Sequence, residues 1–166
     1  VNDWDSFVAE HGVAVFRAAW RVLGHRQDVE DVTQEVFLEA FRLQLRTQPA
    51  WHWPALLRRM ATFRALDRLR RRRSESPLDD PRIGPLLDEP DGVVERNELA
   101  DRLRQAVAQL PPREAAVFCL RCYEELSYGE IGESLNISSQ AVGVALHKAR
   151  LKLQAILSEA VKGEEP

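Results

Sequence analysis

Cysteine is nearly absent from this sequence: Cys119 and Cys122 are its only two, three apart in an apolar, helix-like run. A four-ligand zinc site needs a second pair, and a thioredoxin-like redox pair wants a strand and a βαβ context. Neither is present, so plain helix packing is expected of both. No run of 18 apolar residues exists, and Val1-Asn2-Asp3-Trp4-Asp5 lacks the basic and then apolar pattern of a signal peptide. The expectation is a cytoplasmic protein without membrane insertion. His11, His25, His52 and His147 are scattered, and no Gly-rich phosphate loop, nucleophile motif or metal-spaced ligand set occurs. Hence no catalytic residue, metal or cofactor is expected, and the chain does not read as an enzyme.

Hydrophobic residues at 45% and charged residues at 30% fit a helix-rich globular chain rather than a disordered one. A length of 166 residues suits one ordinary domain or two small helical ones. The net charge of -3 looks wrong for a nucleic-acid-binding protein until it is divided along the chain. Residues 1–57 carry 5 Arg against 8 acids, while 58–73 carry 8 Arg against Asp67 alone, a net of +7. Residues 74–98 hold 2 Arg against 8 acids, and 99–166 hold 8 basic against 9 acidic residues. An acidic protein thus contains one strongly basic segment.

Ser74 through Glu98 is rich in Pro, Gly, Asp and Glu, and its apolar residues show no period that would bury a face. It reads as a flexible acidic linker. Before it, Val15, Phe16, Ala19, Trp20 and Leu23 recur at helical spacing, as do Val29, Val32, Val36 and Ala40, with Gly24 as the stop between. A third helix from Pro54 to about Arg73 places Leu57, Ala61, Ala65 and Leu69 on one stripe, and the first begins near Phe7. After the linker, Leu99, Leu103, Val107 and Leu110 form a stripe ended by Pro111-Pro112. Pro112 fits the first turn of the next helix, which runs to about Tyr123. The fold class is all-α: a helical bundle over 1–73, the linker 74–98, and a second helical domain over 99–166.

From Ser127 to Leu146 the pattern is a short helix, a tight turn and a second helix. Ser127 and Glu130 have capping-box spacing, Gly132 allows a close approach, Asn136 tolerates a left-handed backbone, and Ser138 suits an N-cap. This is helix-turn-helix grammar.

At this point the sequence resembles a known family. DVEDVTQEVFLEAF, from Asp28 to Phe41, is similar to the region-two helix of extracytoplasmic-function (ECF) sigma factors of bacterial RNA polymerase. LRRMATFRALDRLRRRR, from Leu57 to Arg73, resembles their promoter-melting helix. The stretch from Leu110 through Ile131, followed by Ala149 to Leu153, resembles region four. The resemblance implies a sigma factor that brings core polymerase to a promoter and helps to open it. Region 2 would hold core polymerase and the minus-ten element; region 4 would hold the minus-thirty-five element.

The implied sites follow residue by residue. Asp31, Gln34 and Glu35 share a face of their helix at spacings of three and four, and by likeness bind the β′ coiled coil. Trp51, Trp53, Arg59, Thr62, Phe63, Arg70 and Arg71 would handle the minus-ten element, through phosphate contacts and stacking of an extruded base. The bland alternative for the tryptophans is that they close the core. Ser139, Gln140, Gly143, Val144, His147, Lys148 and Arg150 would meet the minus-thirty-five element, with Gln140 suited to adenine. Partners implied are core RNA polymerase (β′ coiled coil and β flap), promoter DNA and an anti-sigma factor.

Two departures from the family pattern stand out. Gly143-Val144-Ala145 occupies the place where many relatives carry a Lys-Ser-Arg-like triplet, and Phe63 stands where Asn is frequent. Region 4 alone is therefore expected to bind DNA weakly. The competing readings are a stand-alone helix-turn-helix regulator and a sigma-like decoy that does not support promoter-specific initiation. A further expectation is that the acidic linker pairs with the Arg58 to Arg73 helix.

Overall fold

The computed structural model describes residues 3–46, 52–75 and 98–163, all helical or in the short turns that join helices. The chain divides into two units, Val1–Arg96 and Asn97–Pro166. The first holds α1 (Asp3–Leu23), α2 (Arg26–Arg46) and α3 (Trp53–Glu75), each packed on the other two. The second holds α4 (Glu98–Ala108), α5 (Pro112–Cys122), α6 (Tyr128–Leu135) and α7 (Ser139–Lys162), with α7 packed on the other three. No strand occurs among the described residues. The linker expected over 74–98 overlaps the end of α3 and the start of α4, and its centre lies outside the described residues, as does Trp51.

The core of the first unit is built from small side chains. Val29, Val32, Val36 and Ala40 of α2 are fully buried against Val15, Ala18, Ala19 and Val22 of α1 and Leu57, Ala61 and Ala65 of α3. Trp20, Leu23, Phe37 and Leu66 fill in around them. Burying each valine stabilises the unit by about 1.5–3 kcal/mol. Gly24 ends α1 at φ 59°, and its N–H donates to the Trp20 carbonyl at 2.9 Å. A residue with a Cβ is strained in that conformation, which is why glycine stands between the helices. α1 begins earlier than Phe7, because Trp4 and Phe7 both pack: their rings stack at 5.0 Å, and Trp4 also meets Phe41 edge-on at 5.0 Å.

In the second unit Val107, Leu110, Val117, Leu120, Ile131, Val142, Leu146, Ala149 and Leu153 form the core. Leu99, expected on the α4 stripe, is instead 66% exposed; it sits in the first turn of α4, ahead of the part that packs. Cys119 is buried, and burial pushes its thiol up from the ordinary range. Cys122 is exposed, so the packing expectation holds for Cys119 alone. Lys152 of α7 donates to both carboxylate oxygens of buried Glu114 at 2.8 Å, tying α7 to the start of α5.

Candidate polymerase and nucleic-acid surfaces

The helix-turn-helix is fixed by local chemistry. Ser127 Oγ accepts from the Glu130 N–H at 3.2 Å, and the Glu130 carboxylate accepts from the Ser127 N–H at 2.7 Å, so the capping box is closed. Asn136 ends α6 in the left-handed region at φ 54°, ψ 49°. Ser138 Oγ accepts from the Ala141 N–H at 3.1 Å and caps α7. Gly132 is the point of closest approach. A Cβ there would stand 2.6 Å from the Ile137 carbonyl oxygen, while the Ile137 N–H donates to the Gly132 carbonyl at 2.9 Å. The neighbour is thus the backbone of the turn itself rather than a side chain of the next helix.

On α7, Ser139, Gln140, Val144, His147, Lys148 and Arg150 are exposed. Gln140, Val144, His147 and Leu151 recur at spacings of four, three and four and form one face. Gly143, expected to be exposed with them, is not: the Tyr128 ring covers it, and a Cβ at Gly143 would lie 3.4 Å from Tyr128 Cε2. The Arg121 guanidinium sits over the same ring, 5.7 Å from its centroid. Gly143 is thus half-buried beside an aromatic ring.

The basic helix α3 is divided between two faces. Arg64, Arg68 and Arg72 recur every four residues and turn toward the acids of α2. Arg68 reaches three carboxylates at once: Asp31 at 2.5 Å, Asp28 at 3.3 Å and Glu35 at 3.5 Å. Arg72 pairs with Asp28 at 2.8 Å and Arg64 with Glu39 at 2.6 Å. The Glu39 contact raises the Arg64 guanidinium further above its already basic range. The expectation that the linker supplies the acidic partner of this helix falls on undescribed residues, whereas α2 supplies these three arginines with acids directly. Arg59, Phe63 and Arg70 share a different stripe of α3, at spacings of four and seven. Arg70 pairs with Asp67 of the same helix, and Arg71 is exposed.

Two of the expected minus-ten residues are drawn into the packing of the unit. Thr62 has no exposed surface at all and belongs to the core of the unit, because its position on α3 falls on the side turned to the bundle. Trp53 is half-buried and packs edge-on against Phe7 at 5.3 Å, joining a cluster with Trp4, Phe37 and buried His11. This packing favours the core-closing alternative for Trp53.

On α2, Gln34 and Glu35 are exposed and Asp31 is half-buried, with Asp31 and Glu35 both in reach of Arg68. The same face continues as an apolar stripe that sequence reasoning passed over. Leu38, Phe41 and Leu45 follow Gln34 at spacings of four, seven and eleven and are 57%, 42% and 72% exposed. Exposed large apolar side chains in line on one helix make this face a candidate contact surface. The signal was present as a second apolar period on α2, beside the buried one.

Comparison with known proteins matches this arrangement twice. Residues 7–75 match the family described as Sigma-70 region 2, and residues 100–153 match Sigma-70, region 4. The ECF RNA polymerase sigma factor SigE of Mycolicibacterium smegmatis is 34% identical over 160 residues. That match takes in 94% of this chain but only 62% of the relative, so the chain spans less than two thirds of that relative's length. The ECF RNA polymerase sigma factor SigF of Caulobacter vibrioides is 33% identical over 131 residues, 78% of this chain and 70% of the relative. The solved structure of CnrH in complex with the cytosolic domain of CnrY is similar with a TM-score of 0.61 at 25% identity, covering 94% of this chain and 88% of that one. The chain belongs to the ECF RNA polymerase sigma factor family, whose members are transcription initiation factors and not enzymes.

Proposed function

We propose that this chain works in the cytoplasm as an ECF sigma factor that joins core RNA polymerase, brings it to a promoter and helps to melt the duplex. The observation that carries the reading is the presence, in family order, of a region-2 unit with an exposed α2 face and a region-4 unit with a closed helix-turn-helix. In this reading Asp31, Gln34 and Glu35, extended by Leu38, Phe41 and Leu45, take the β′ coiled coil, and region 4 takes the β flap. Arg59, Phe63, Arg70 and Arg71 serve the minus-ten element. The exposed face of α7 serves the minus-thirty-five element. An anti-sigma factor is the expected regulator; the similar CnrH was solved in complex with another protein's cytosolic domain. No described helix is long and apolar enough to cross a membrane, which fits a role beside polymerase.

The test is titration of labelled protein against core RNA polymerase, with an Asp31→Ala, Gln34→Ala, Glu35→Ala triple variant alongside. Tight binding that the variant loses is the expected result. No binding by wild type would leave a stand-alone helix-turn-helix regulator. Promoter-dependent run-off transcription by the reconstituted holoenzyme then separates an initiation factor from a decoy.

A further inference from the structure

We infer that Val144 is a specificity-determining residue of the recognition helix and that it selects a thymine through the C5-methyl group of the base. The inference rests on the promoter-binding reading above and names one contact within it. The first turns of a recognition helix approach the base edges while later turns rise out of the groove. Ser139, Gln140, Val144 and His147 are exposed in those first turns of α7 and are the residues placed for the base edges. Gly143 is withdrawn from that set, since the Tyr128 ring covers it.

Val144 then stands in the middle of the reading face, 50% exposed and one turn beyond Gln140. Its two methyl groups make no hydrogen bond. Against guanine O6 and N7, or the cytosine N4 amino group, they would strip water from a polar edge and give nothing back, an unfavourable exchange. The one apolar feature that the four standard bases present in the major groove is the thymine C5-methyl. Gln140 supplies the complementary polar contact, and its amide fits adenine N6 and N7. Side chains four apart on a helix have Cβ atoms about 5–6 Å apart, which places their two bases one to two steps apart. Lys148 and Arg150 flank the face and suit phosphates. The departure from the basic triplet of many relatives thereby becomes a change in what is read.

The test uses the full chain assembled with core polymerase. The preferred upstream element is selected from duplexes randomised over that element, and each thymine of the selected sequence is replaced in turn by deoxyuridine, which lacks only the methyl group. At one position the replacement should weaken wild-type binding about fourfold, the worth of one buried methyl. There, 5-methylcytosine should bind better than cytosine, and the Val144→Ala holoenzyme should lose most of both effects. Val144 is exposed, so the variant keeps its fold, which circular dichroism checks. Wild-type binding to the selected sequence that is indifferent to deoxyuridine at every thymine overturns the assignment. So does a Val144→Ala variant that keeps full base selectivity but binds core polymerase less well, which would give this face to a protein contact. Failure to select any sequence would overturn the promoter reading itself.

Discussion

The two units build their exposed surfaces in different ways. In the first, arginines and carboxylates meet across helices: Arg64, Arg68 and Arg72 of α3 lie on Asp28, Asp31, Glu35 and Glu39 of α2, far apart in sequence. In the second, the contacts that shape the binding surface are local: the Ser127 and Glu130 capping box, the left-handed Asn136, and the Ser138 cap. The difference teaches where surface function can be read from sequence. A turn built by neighbours shows itself in their order. A charged face does not, because its net charge conceals which groups have already been matched by a distant helix.

The sharpest way to break this comparison is at the turn. Gly132→Ala puts a Cβ against backbone, at 2.6 Å from the Ile137 carbonyl oxygen, where no side-chain rotation brings relief. We expect a loss of about 1–3 kcal/mol, the usual cost of overpacking. It should appear in urea unfolding as a weakening of the second unit only, while core-polymerase binding through the first is retained. Equal stability of wild type and variant would mean that the turn is looser than its geometry.

Next in size is the arginine face. Arg68 spans three carboxylates and is only partly exposed, so Arg68→Gln should cost about 1–2 kcal/mol of the first unit's stability, more than an isolated surface pair. Arg71→Gln on the exposed side should stay within about 0.5 kcal/mol. Promoter binding by the holoenzyme separates them in the other direction. If Arg71 meets a phosphate, its loss lowers the salt slope of binding by about one, while Arg68→Gln leaves the slope unchanged. The opposite pattern would make Arg68 a DNA contact and return the whole +7 segment to the duplex.

These two cases also show how far the residues could be read in advance. The buried stripe Val29, Val32, Val36 and Ala40, the stop at Gly24 and the whole helix-turn-helix follow from periodicity and cap chemistry, and all are present. Thr62 illustrates the limit. Threonine beside Phe63 in a basic helix suggests a polar surface, yet the bundle side of α3 is wide enough to take in Ala61, Thr62, Ala65 and Leu66 together. Gly143 was hidden for a similar reason: its partner, Tyr128, comes from the preceding helix, and no spacing along α7 reveals a ring lying across it.

Thiol chemistry offers a smaller effect and an internal control. Cys119 and Cys122 lie one turn apart on α5, yet only Cys122 is exposed. Burial raises both thiols above their ordinary range, Cys119 much more. Around neutral pH a thiol reagent should therefore modify one cysteine of the folded chain, slowly and faster as pH rises, and both after unfolding. Two equally reactive thiols in the native protein would show that α5 opens readily.

The smallest effect bears on the seat of Tyr128. Glycine inside a helix costs up to about 1 kcal/mol relative to alanine, because it loses more backbone freedom on folding. A close-packed site can require that cost, as Gly132 does. At Gly143 the added methyl would meet Tyr128 Cε2 at 3.4 Å, the short limit of van der Waals contact with a ring edge that can give way slightly. Gly143→Ala should therefore stabilise the second unit by about 0.5–1 kcal/mol and leave promoter preference unaltered, since position 143 is turned to Tyr128 and not to the groove. The measurement is paired: urea midpoint for stability, and competition between promoter sequences for preference. A destabilised variant would mean that Tyr128 is held too rigidly by Arg121 to yield a few tenths of an ångström. A stable variant with altered sequence preference would place Gly143 back against the bases, and the two glycines of this helix-turn-helix would then serve different masters: Gly132 the turn, Gly143 the DNA.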